Sequence, residues 1–157
     1  MNAATPKPDQ DIAARQRRLA VLARTDRSRL EAVWEGLADK PAFRRLKVPE
    51  TGLAMIRARA GGVGQRFNLG EMTVTRCVVA LDDSGNMGVG YVPGRDTRKA
   101  ELVALFDAMA LDPARLPQIE RDLICPSEAG LAAGRAARAA RVAATKVDFF
   151  TMVRGED

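Results

Sequence analysis

A chain of 157 residues with 46% hydrophobic and 29% charged residues has the balance of one globular domain able to bury a core, neither a disordered nor a membrane composition. It has no histidine, and its 2 cysteines are Cys77 and Cys125; this excludes Ser-His-Asp and Cys-His triads, histidine-ligated metals and four-ligand zinc sites, so no metal site is expected. The net charge of +5 lies wholly in residues 1–47, where 11 Lys and Arg meet 6 Asp and Glu, a basic surface suited to nucleic acid, phosphate or an acidic protein, or simply a solvated helix face.

The opening "MNAATPKPDQ" is polar and reads as a disordered leader over residues 1–10. It lacks the apolar run of a signal peptide. No stretch approaches the roughly 18 apolar residues of a membrane helix, so a cytoplasmic location is expected. From Asp11 to about Arg24, Ile12, Leu19, Leu22 and Ala23 form one stripe of an amphipathic helix. "TDRS" offers caps for a second helix, in which Leu30, Val33, Trp34 and Leu37 recur at helical spacing until Asp39 and Pro41 end it. Trp34 is assigned to the core.

Beyond Lys47 the period falls to two. In "TGLAMIRARAGG", Ala54, Ile56 and Ala58 alternate with Leu53, Met55 and Arg57, while "MTVTRCVVAL" and "MGVGYV" flank the hairpin signal "DDSGN". Three or four antiparallel strands are predicted, near 50–60, 65–69, 72–81 and 87–92, since such short connections cannot make parallel crossovers. Helical spacing returns over Thr97–Ala110. A short helix near Pro113–Leu123 follows, and then a long alanine-rich helix with Ser127 as its N-cap. Helices, an antiparallel sheet, then helices make an α+β domain, taken as a single unit over residues 11–157.

Few residues announce chemistry. "GGVGQRF" and "GVGYVPGRD" are glycine-rich, but Phe67 stands where a dinucleotide fingerprint needs glycine, and no Gly-Lys-Ser/Thr is present, so tight turns explain them as well as phosphate loops do. Arg76 shares a strand face with Val74 and Val78. If that face is buried, the guanidinium needs a partner, either Glu71, Asp82 or Asp96, or an external phosphate or carboxylate. Glu50, Glu71, Asp96 and Glu101 lie near strand ends and loops without forming an evident acid–base pair. Both cysteines read as inert thiols.

The blocks "ETGLAMIRARAGGVGQRFNLGEMTVTRCVVAL", "GYVPGRD" and "VDFFTMVRGED", separated and in order, closely resemble PhnG, a subunit family of the bacterial carbon–phosphorus lyase machinery, from about Gln16 to the C-terminus. The resemblance implies a cytoplasmic hetero-oligomer with I, H, J and L type subunits. Together, the G, H, I and L components would convert ATP and an alkylphosphonate into ribose 1-alkylphosphonate 5-triphosphate and adenine. ATP would be a substrate of that complex, and this chain would carry no cofactor of its own and be inactive alone.

Displacement of adenine develops oxocarbenium character that a carboxylate stabilises, and the phosphonate must be held beside a triphosphate that repels it. Arg66, Arg76 and Arg95, all in the matching blocks, are the candidate anion-binding residues, and Glu71 is the candidate charge stabiliser. Phe149, Phe150, Met152 and Arg154 form an apolar anchor with a polar rim, a candidate interface. A purely architectural subunit is the alternative. A nucleic-acid module is the weakest reading, because Tyr91 and Trp34 are too few for a stacking platform.

Overall fold

A computed structural model describes residues 8–59 and 64–145. Helix α1 (Pro8–Leu22) starts inside the stretch expected to be a disordered leader. Pro8 suits that start, because the first turn of a helix has no use for its missing N–H. Helix α2 (Arg27–Glu35) follows, with Asp26 in the N-cap position and Gly36 closing its end.

The sheet has three antiparallel strands, β1 (Phe43–Ala58), β2 (Phe67–Leu81) and β3 (Met87–Pro93), in the order β1-β2-β3. Two sequence expectations change here. Strand β1 begins at Phe43 rather than near residue 50, with register irregularities between Arg45 and Lys47 and between Lys47 and Glu50; these bulges break the alternation that would have revealed it. Secondly, the break expected between residues 69 and 72 is absent, since β2 runs straight through Gly70, which pairs with Ile56.

Helix α3 (Thr97–Met109) is the centre of the molecule, with every residue from Ala100 to Met109 buried. Such a helix, its Glu101 and Asp107 included, must be covered on all sides: the sheet covers one face, and α1, α2 and the chain near Leu123 cover the rest. Cys77, Val79 and Leu81 of β2 face it with no exposure. Trp34 meets Phe106 edge-on at 6.2 Å and 87°, so Trp34 is core as expected.

The fit of α3 on β3 depends on glycine. A Cβ at Gly88 would lie 1.9 Å from the Ala104 carbonyl oxygen, and one at Gly90 1.9 Å from that of Ala100. The glycine-rich segment therefore admits a helix backbone. Only Gly94, with φ +88°, is a turn glycine there.

Helix α4 (Leu116–Ile119) passes through a π-helical turn (Glu120–Ile124) into α5 (Cys125–Ala144). Ser127 is thus not an N-cap, because the backbone is already helical at Ile124 and Cys125. Every residue of α5 from Ala132 to Ala144 is exposed. The β1–β2 hairpin also outruns its neighbours: β3 pairs only with Val74 to Ala80, leaving Leu53, Met55 and Leu69 of the projecting part exposed.

Candidate functional site

The arginines from the sequence motifs do not assemble into one site. Arg66 is exposed just before β2, and strand rise places it about 30 Å along β2 from Arg76. Arg76 lies opposite Glu50 on one side and Tyr91 on the other. That face is not the one α3 covers, although Val74 on it is buried, and the Arg76 side chain keeps 52% of its exposure.

None of the expected carboxylates is its partner; Arg76 Nε donates to Glu50 Oε1 at 2.5 Å. Lys47 Nζ lies 3.0 Å from the same oxygen. Hydrogen bonds from Lys47 and then Arg76 hold the Glu50 carboxyl below its ordinary range. Glu71 pairs with Met55 on the opposite face of β2 from Arg76. Phe149, Phe150, Met152 and Arg154, together with the glycines at 61 and 62, lie outside the described residues.

A denser cluster forms where the bulged start of β1 meets the first turns of α3. A cleft of about 500 Å³ is lined by Arg45, Val48, Pro49, Thr97, Arg98 and Glu101. Glu101 is only 5% exposed. It accepts from both guanidinium groups, forming an ion pair with Arg45 and another with Arg98 at 3.0 Å.

A second carboxylate layer steadies the arginines around it. Arg27 contacts Glu31 at 2.8 Å and Asp96 at 3.7 Å. Asp96 caps α3 by accepting from the Lys99 N–H at 2.9 Å. Arg95 stands between Gly94, whose carbonyl accepts from Thr75 Oγ1 at 2.7 Å, and this cap.

Arg45 and Arg98 meet one buried carboxylate at the start of a 13-residue helix. Asp96 caps that start and Glu31 lies 4.0 Å from Arg98, but the remaining N–H groups of two partly exposed guanidinium groups still suit an anion. The nearby Cys77 thiol is no nucleophile: burial, reinforced by the charge of Glu101, pushes its pKa up to about 11, and Sγ donates to the Lys47 carbonyl.

Sequence reasoning included Glu101 among its carboxylates and missed Arg45 and Arg98. Arg98 carried a signal, its i,i+3 spacing to an acid surrounded by apolar residues. Arg45 carried none, because bulges set which way it faces.

Residues 13–155 match the family described as "Phosphonate metabolism protein PhnG". The chain is 42% identical over 157 residues, 100% of its own length and 99% of the relative's, to the alpha-D-ribose 1-methylphosphonate 5-triphosphate synthase subunit PhnG of Rhizobium meliloti (strain 1021). A match over nearly the whole chain makes this chain a member of the PhnG family.

Proposed function

We propose that this chain is a subunit, without turnover of its own, of a synthase that transfers an alkylphosphonate such as methylphosphonate to the ribose C1 of ATP with release of adenine. The observation that carries this reading is the end-to-end likeness to a relative named as a subunit of that synthase. The residues on offer agree with a supporting role. The sequence holds no histidine, and two of its arginines, Arg45 and Arg98, meet at Glu101 in a cleft fit for phosphate or phosphonate oxygens.

Arg95, two residues before Thr97 of the cleft wall, joins Arg45 and Arg98 in that role. Arg66, Arg76 and Glu71 would act only where a partner's surface closes over the sheet. The partners proposed are I, H, J and L type subunits, in the cytoplasm. No helix among the described residues is long and apolar enough to cross a membrane.

An architectural role is favoured by two surfaces that bury little on their own, the projecting β1–β2 hairpin and the second half of α5. Residues 147–157 follow α5 in the sequence, and Phe149, Phe150, Met152 and Arg154 among them are proposed as the anchor for the I-type partner. Deleting it should leave a folded chain that no longer copurifies with that partner.

Co-expression with the other subunits tests the whole reading through adenine release from ATP plus methylphosphonate. Adenine release should require this chain, and Arg45→Ala with Arg98→Ala should lower it while leaving assembly intact. Turnover by the isolated chain would refute the proposal, and full activity of the double variant would leave only the architectural role.

A further inference from the structure

A second cavity, of about 600 Å³, lies at the other end of α3, between α1 and the chain leaving that helix. Its walls are mainly apolar, formed by Ile12, Ala110, Leu111, Pro113 and Leu116. Into this wall is set Arg18, only 8% exposed. Among the described residues its Nε is sealed from solvent and meets no acceptor, and the ion pairs of α1 belong to Arg15 and Arg17. A buried guanidinium without a carboxylate is costly, and folds retain one where something else supplies the negative charge.

From this geometry we infer that the cavity binds a single carboxylate carried on an apolar body. Arg15, on the same wall, is committed to Asp107, so Arg18 supplies the one available positive charge among the described lining residues. Asp11 at the rim opposes a second negative charge, which disfavours a phosphate or phosphonate dianion. The planar, weakly hydrated guanidinium matches a carboxylate, and the apolar walls match an aliphatic chain. Nothing in this inference depends on the cleft at Glu101 or on the synthase reading. The same chemistry comes from a small free acid or from a carboxylate of a partner polypeptide.

Calorimetric titration of the full chain with hexanoate, hexanol and methylphosphonate tests this, alongside the same titration of the co-purified complex. At a pH above the second ionisation of methylphosphonate, hexanoate should bind, the neutral alcohol and the phosphonate dianion should not, and Arg18→Met should weaken hexanoate binding by at least about tenfold. Hexanoate binding to both the chain and the complex would identify a free acid as ligand; binding to the chain alone would identify a partner's carboxylate. Because Arg18 forms no ion pair among the described residues, Arg18→Met without ligand should unfold no earlier than the native chain. The inference is overturned by absence of hexanoate binding to the native chain, by equal binding of hexanol or methylphosphonate, by undiminished binding in Arg18→Met, or by a clear loss of stability in that variant.

Discussion

Arg15 and Asp107, 92 residues apart in sequence, join α1 to α3 through two parallel hydrogen bonds, Nη2 to Oδ2 at 2.7 Å and Nε to Oδ1 at 3.1 Å. Asp107 is 1% exposed and also accepts from the Val89 N–H at 2.9 Å. One carboxylate thus ties together a helix of the basic N-terminal part, the central helix and the edge strand. Arg15→Ala strands that buried charge and should cost about 3 kcal/mol. Asp107→Ala should cost less, because the half-exposed Arg15 regains water. Urea unfolding of the two variants measures the difference, and equal losses would show that the Val89 contact matters as much as the ion pair.

Gly88 and Gly90 permit α3 to lie against β3. Alanine at either position would have to displace backbone atoms rather than a flexible side chain. Gly88→Ala and Gly90→Ala should each destabilise by about 3 kcal/mol or more, whereas Gly52→Ala, with nothing within 4 Å of the new methyl, should be nearly silent. Thermal unfolding of the three variants reads this directly.

The two thiols should separate cleanly on alkylation. Cys125 is exposed and Cys77 buried, and Cys77 titrates near 11 because burial disfavours its thiolate. Iodoacetamide at pH 8 should modify Cys125 in the folded chain and Cys77 only after denaturation, as peptide mass mapping would show. Early labelling of Cys77 would mean that the sheet opens beside Glu101.

Glu50 provides a pH signature for the outer sheet face. Its folded pKa is lowered by Lys47 and Arg76, so the contribution of these contacts is complete above the unfolded value of about 4.3 and fades as pH falls through the folded one. In Arg76→Ala the Glu50 carboxyl resonance should titrate at higher pH, yet remain below the ordinary range through Lys47. An unchanged midpoint would show that Arg76 is engaged elsewhere in solution.

Periodicity in the sequence was enough to identify α2, α3, the β2–β3 hairpin and Trp34 as core, because each is a local pattern of apolar residues whose burial follows from spacing alone. The family was legible too, since its blocks are contiguous runs. Local pattern failed where the cause lay elsewhere in the chain. The first residues of β1 are hidden by bulges that only pairing with β2 imposes. Gly70 resembles a break until β1 is seen to continue opposite it. The strand that holds Gly88 and Gly90 was legible, but the need for glycine there was not, because it comes from the backbone of α3 resting on them.

The arginines divide in the same way. Composition showed that they are numerous and that no histidine accompanies them, but charge alone does not say which cation meets which carboxylate. Arg76 found Glu50 through strand register, Arg45 reached Glu101 across 56 residues, and Arg18 was left without a described partner because α1 packs that face against the end of α3. Ion pairing over such separations is fixed by how the layers stack, a property of the three-dimensional fold that neighbouring residues do not encode.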